Sequence, residues 1–163
     1  MRQVEFVPFR LTDVAEIFTI RIDGNDNGEL QEFIIAFKDN DDVDIQKDFE
    51  QILKSLAEIV HHGAKESFFR PEGKLNDRVC AIPLYAHRNN KRKGTLRLYC
   101  IRVSDGLLIV GGGGLKTVQT YEEDVRLHRH VQTLQSIDKE LIKLEDEGKD
   151  LNTEILNLTI FID

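Results

Sequence analysis

Several short apolar runs are bounded by turn residues, and each run predicts a β-strand. Two lie near the N-terminus, at residues 4–9 and 17–22, and a last one spans residues 154–162. Three more follow one another closely in the middle of the chain. They occupy residues 78–84, 96–103 and 107–110. Their short connections predict an antiparallel meander.

Two further stretches repeat apolar residues three and four positions apart, which is typical of amphipathic helices. The first is residues 45–60, ending before Gly63, and the second runs from Glu122 to near Gly148. A shorter helical pattern at residues 30–37 precedes them and completes a helical pair. The order of elements predicts one α+β domain over residues 1–163. Its antiparallel sheet packs on the helical pair, with a C-terminal helix and an added terminal strand.

Composition places the chain among ordinary globular proteins, with 40% apolar and 31% charged residues. The N-terminus lacks the pattern of a signal peptide, and no apolar run is long enough to cross a membrane, so we expect a cytoplasmic protein. Cys80 and Cys100 each lie in an apolar run, which predicts two buried free thiols. Neither has a histidine or cysteine at ligand spacing, so we expect no metal and no cofactor.

Charge is distributed unevenly along the sequence. The whole chain has a net charge of −7, but residues 61–116 hold eleven basic and four acidic residues. A basic middle segment in an acidic protein indicates an anionic partner there.

The segment 95–124 concentrates polar residues in predicted strands. Arg97 and Tyr99 share one face of their strand by alternation, so we expect them to face a ligand. Arg102 points to the other face, where a structural ion pair is its simplest role. The hairpin loop before this strand carries four cations, which are either a solvated tip or phosphate contacts. These cations are Arg88, Lys91, Arg92 and Lys93.

The glycine run at residues 111–114, followed by Lys116, has three interpretations. It resembles the end of a phosphate-binding loop, although Leu115 stands where that loop needs a glycine. It is also typical of a strand bulge that lets another backbone come close. Alternatively, its small residues form the floor of a cleft for nucleic acid.

The order of elements and the text TLRLYCIRV and LLIVGGGGLKTVQTYEED resemble the RelE/ParE/HigB superfamily of bacterial type II toxins. The resemblance covers about residues 78–130. It implies a metal-independent endoribonuclease that cleaves mRNA, in some members on the ribosome. It also implies a cognate antitoxin, typically a small helix-turn-helix protein.

By position, the resemblance assigns Arg97, Lys116 and Tyr121 to the catalytic site. Tyr99 and the four loop cations would bind substrate. The strand at residues 79–84 lacks the lysines that ribonuclease members often carry. Two alternatives therefore remain: a non-enzymatic binding module that uses its basic cleft for a protein or nucleic acid, or a structural protein that pairs its C-terminal helix with a partner helix.

Overall fold

Seven strands form a single sheet in the computed structural model, which describes residues 1–71, 77–82, 94–117 and 121–163. The strands are β1 (Arg2–Leu11), β2 (Glu16–Ile22), β3 (Arg70–Pro71), β4 (Val79–Ala81), β5 (Gly94–Ser104), β6 (Leu107–Thr117) and β7 (Thr159–Ile162). The α-helices are α1 (Glu29–Phe37), α2 (Val43–His62), α3 (Tyr121–Asp146) and α4 (Leu151–Glu154). Two short 3₁₀ helices lie at Glu66–Phe68 and Ile155–Asn157.

The strand order across the sheet is β3-β4-β5-β6-β2-β1-β7. Every neighbouring pair is antiparallel except β2 and β6, which run parallel and pair residues 16–19 with residues 107–110. The predicted meander of β4, β5 and β6 is confirmed. The sheet therefore joins two antiparallel units through one short parallel contact.

Helices cover both faces of the sheet because most strands alternate apolar side chains between two cores. On one face, α1 and α2 pack against Leu96, Leu98 and Cys100 of β5. On the other face, α3 packs against Tyr99 and Ile101 of the same strand. The expected sheet on a helical pair, with a C-terminal helix and a terminal strand, is confirmed.

The ends of α2 follow directly from local sequence. The side chain of Asp42 accepts hydrogen bonds from the backbone N–H groups of Asp44 and Ile45, which caps the helix start. Gly63 ends the helix with φ of 95°, a conformation that favours glycine. Its N–H donates to the carbonyl oxygen of Ile59 at 2.7 Å. The predicted stop at Gly63 is confirmed.

Two predicted boundaries were wrong. The last strand is limited to Thr159–Ile162, because Asp150 caps α4 and a 3₁₀ turn follows it. Leu151 and Ile155 are both buried, whereas Thr153, which would share their face in a strand, is exposed, so helical spacing prevails over alternation. At the other boundary, β6 continues beyond Val110 through the glycine run to Thr117.

Cys80 and Cys100 are buried free thiols, as predicted, and they lie directly opposite each other on β4 and β5. Burial raises the pKa of the Cys100 thiol well above its ordinary value, and the neighbouring Cys80 adds to the effect. Both thiols therefore serve as small apolar core residues.

A buried ion pair attaches α3 to the start of β4. Asp138 is fully buried and accepts hydrogen bonds from the backbone N–H, Nε and Nη2 of Arg78 at 2.7–2.9 Å. Glu145 accepts a second contact from Nη2 of Arg78 at 2.8 Å. Because the buried carboxylate has three donors, this contact fixes the position of the helix over the sheet.

Candidate functional site

The glycine run lies within β6 and is covered by α3. A Cβ atom on Gly111 would lie 2.9 Å from Cδ2 of Leu134, and one on Gly112 would lie 2.5 Å from the ring of His130. The helix therefore occupies the space that larger side chains would need. The phosphate-loop interpretation was wrong because the glycines continue a strand. The close approach of another backbone applies at Gly113, and the floor of a nucleic-acid cleft stays a prediction.

The same run carries a β-bulge opposite Tyr99. Leu98 pairs with Gly113 and Cys100 pairs with Val110, so two glycines oppose one residue of β5. At this irregularity a Cβ on Gly113 would lie 1.9 Å from the carbonyl oxygen of Arg97. Only glycine fits this position without a displacement of the β5 backbone.

Helix α3 runs antiparallel to β6. Leu127 lies over Gly114, His130 over Gly112 and Leu134 over Gly111. The beginning of α3, at Tyr121, therefore lies toward the end of β6 that carries Lys116. The positive end of the helix dipole is directed to that region.

Arg97 and Lys116 share the α3-side face of the sheet. Arg97 pairs with Gly114, and Lys116 lies two residues farther along β6, so the two cations are diagonal neighbours. The Cα atoms of such neighbours are about 7–8 Å apart. Arg97 is half-buried, and its Nη1 donates to the carbonyl oxygen of Leu96, whereas Lys116 is exposed. We refer to Arg97 and Lys116 as the basic face.

The other residues predicted for this site are placed differently. Tyr99 shares a face with Arg97 but is only 5% exposed and belongs to the α3-side core. Arg102 donates to the carbonyl oxygen of Ala64 and forms an ion pair with Asp105, which confirms its structural role. Tyr121 begins α3, and its side chain lies outside the described part of the chain. The four loop cations also fall outside the described residues. These are Arg88, Lys91, Arg92 and Lys93.

A second polar site, which sequence reasoning missed, lies at the junction of β1, α1, β6 and α3. We call this space of about 190 Å³ the polar cleft. It opens beyond Val110, where β6 stops pairing with β2. The described lining residues are Arg2, Ile20, Ile22, Glu29, Gly112, Arg129, His130, Thr133 and Leu134.

Glu29 and His130 both approach the same point beside Gly112 in the polar cleft. The carboxylate Oε2 of Glu29 and the imidazole Nδ1 of His130 lie 3.0 and 2.5 Å from the point that a Cβ on Gly112 would occupy. Within the described residues, neither side chain has a hydrogen-bond partner. Arg2 lies nearby and donates to Oγ1 of Thr133 at 3.2 Å and to the carbonyl oxygen of Asp163 at 3.0 Å.

The environment of the polar cleft shifts both titratable groups. Burial raises the pKa of the Glu29 carboxyl, the charge of Glu32 raises it further, and Arg2 opposes both effects. Burial lowers the pKa of the His130 imidazole. Each shift favours the neutral form of its group, as expected for polar side chains removed from water. The sequence signal for this site was weak, because a lone histidine on a helix is usually a packing or surface residue.

No family model matches the chain, and no curated protein or solved structure is significantly similar to it. Among the described helices, none has the length and apolar character needed to span a bilayer.

Proposed function

We propose that the chain is a toxin-like protein of the RelE/ParE/HigB type, which binds mRNA on the basic face and cleaves it without a metal ion. The observation that carries the proposal is the side-by-side placement of Arg97 and Lys116 on adjacent strands. Two neighbouring cations can contact one phosphate or two successive phosphates of a single strand. Arg97 would hold phosphate oxygens through its planar guanidinium, and Lys116 would act as a mobile charge.

The surroundings of the basic face support the same proposal. The beginning of α3 lies toward Lys116, so the helix dipole adds to the positive potential there. The strand that carries Arg97 begins at Gly94, and Thr95 pairs with Lys116. The four cations of residues 88–93 immediately precede this strand end in sequence. In the proposed reaction, Arg97 and Lys116 stabilise the charge that builds on the phosphate, and Tyr121 is the candidate for proton transfer.

Binding can be tested with purified protein and single-stranded RNA over a range of salt concentrations. We expect Arg97→Ala and Lys116→Ala each to weaken binding and to reduce the slope of log K against log salt by about 1. Lys54→Ala is the matched control, because Lys54 is exposed on α2, which covers the opposite face of the sheet. An equal loss with Lys54→Ala would show that binding depends on net charge and not on the basic face.

Cleavage requires a separate test. Induced expression should arrest growth and shorten mRNA, Lys116→Ala should abolish both effects, and cleavage by purified protein should persist in EDTA. Co-expression of the neighbouring reading frame, expected to encode a small helix-turn-helix antitoxin, should restore growth. Intact mRNA and normal growth would contradict the enzymatic proposal.

The exposure of Lys116 and the burial of Tyr99 favour a second candidate, a non-enzymatic binding module of the same fold. An exposed cation can bind phosphate or carboxylate without any role in proton transfer. This candidate predicts salt-dependent RNA or protein binding that needs Arg97 and Lys116, with no cleavage and no growth arrest.

A further inference from the structure

We propose that the polar cleft binds a small sugar phosphate, at a site separate from the basic face. The inference stands on the arrangement of Glu29, His130, Arg2 and Arg129 and does not depend on the proposed ribonuclease function. The polar cleft combines a carboxylate and an imidazole at its floor with two guanidinium groups. A ligand that satisfies all four must carry both hydroxyl groups and negative charge.

The floor of the polar cleft is suited to hydroxyl groups. Glu29 and His130 are half-buried and approach the same point beside Gly112, and neither has a hydrogen-bond partner within the described residues. A carboxylate accepts from a hydroxyl group, and an imidazole nitrogen can donate to it or accept from it. Vicinal hydroxyls of a sugar would therefore bridge the two side chains. A half-buried polar group gains more free energy from such a partner than an exposed one does.

The rim of the polar cleft is suited to phosphate. Arg2 is oriented by its bonds to Thr133 and to the carbonyl oxygen of Asp163, which reduces the entropy that binding must offset. Arg129 lines the same space and is exposed, so it can move to a ligand. Guanidinium groups match phosphate oxygens in charge and geometry.

Size and lining restrict the ligand further. The volume of about 190 Å³ lies below the roughly 300–1,000 Å³ of sites for drug-sized ligands. The described lining includes Ile20, Ile22 and Leu134 but no aromatic side chain on which a base could stack. A phosphorylated sugar fits these properties better than a nucleotide does.

The test is a titration of the full chain with ribose 5-phosphate, in which binding is monitored by calorimetry and by NMR of the histidine ring protons. We expect saturable binding that shifts the His130 resonances and leaves those of His128, which is exposed on the same helix, unchanged. Glu29→Gln should weaken binding about tenfold or more, as for loss of a hydrogen bond to a charged group, and His130→Gln should weaken it by up to about tenfold, as for loss of a hydrogen bond between neutral groups. Circular dichroism would verify that both variants remain folded.

Lys116→Ala is the control that separates this site from the basic face, and it should bind ribose 5-phosphate with wild-type affinity. Inorganic phosphate should bind more weakly, because it lacks the sugar hydroxyls. The proposal is overturned by the absence of saturable binding, by unchanged affinity in both cleft variants, or by equal affinity for phosphate. Loss of binding in Lys116→Ala alone would also overturn it.

Discussion

Substitution of Gly113 by alanine should strongly destabilise the fold. The added Cβ would lie 1.9 Å from the carbonyl oxygen of Arg97, whereas ordinary contacts begin at 3.4 Å. The obstructing atom belongs to the backbone of β5, so no rotamer change can relieve the overlap. The strands must separate locally and lose ladder hydrogen bonds. Overpacking costs about 1–3 kcal/mol and each lost hydrogen bond about 1 kcal/mol, so we expect Gly113→Ala to cost about 3 kcal/mol or more.

Gly114→Ala provides a matched control at the adjacent position. Its Cβ would lie 3.5 Å from Cδ2 of Leu127, an ordinary van der Waals distance. Because alanine restricts the unfolded chain more than glycine does, we expect this variant to be neutral or more stable by up to about 1 kcal/mol. Urea unfolding monitored by circular dichroism measures both free energies. Values for the two variants within about 0.5 kcal/mol of each other, the usual range for neutral substitutions, would refute the close approach of β6 to Arg97.

Four other substitutions test separate features of the fold. Asp138→Ala should lower the free energy of unfolding by about 3–5 kcal/mol, because it leaves a partly buried guanidinium with one carboxylate fewer. Glu140→Gln, which removes a solvent-accessible pair on the same helix, should cost less than about 1 kcal/mol in the same denaturation assay. Thr19→Val should cost about 1–3 kcal/mol, since the buried hydroxyl accepts from the N–H of Leu30, and hydrogen exchange should show faster opening at that amide. Burial lowers the pKa of His130 below 6.5. The stability that the neutral His130 side chain contributes is therefore present above pH 6.5 and is lost as the pH falls through the folded-state pKa. Melting curves of His130→Gln should therefore show a smaller loss of stability on acidification than those of the wild type. Identical losses would contradict the lowered pKa of His130.

Hydrophobic patterning predicted the fold because the apolar residues of β4, β5 and α2 follow clear periods. The strand at residues 154–162 was overestimated, because a short apolar run can suit a helical turn and a strand equally well. The capping side chain of Asp150 decides in favour of helix there. The length of β6 was underestimated because glycine has low strand propensity, and only tertiary contact with α3 explains its place in the strand.

Alternation along β5 predicted one part of this region, namely that Arg97 and Tyr99 share a face. Alternation could not show that α3 buries Tyr99 and leaves Lys116 exposed. The polar cleft was beyond sequence reasoning, because Glu29 and His130 are far apart along the chain. They meet where β6 stops pairing with β2 beyond Val110, and no local pattern specifies that event.

The parallel contact between β2 and β6 has a consequence for the dynamics of the molecule. Among the described strands, it is the only pairing that connects the unit β7-β1-β2 to the unit β3-β4-β5-β6, and it spans residues 16–19 and 107–110. The hydroxyl of Thr19 donates to the carbonyl oxygen of Val110 and strengthens the contact at its end. Short contacts between cooperative units often define the boundary of sub-global opening. We expect native-state hydrogen exchange to divide the sheet at this boundary, with amides of β1 and amides of β5 in two separately opening groups.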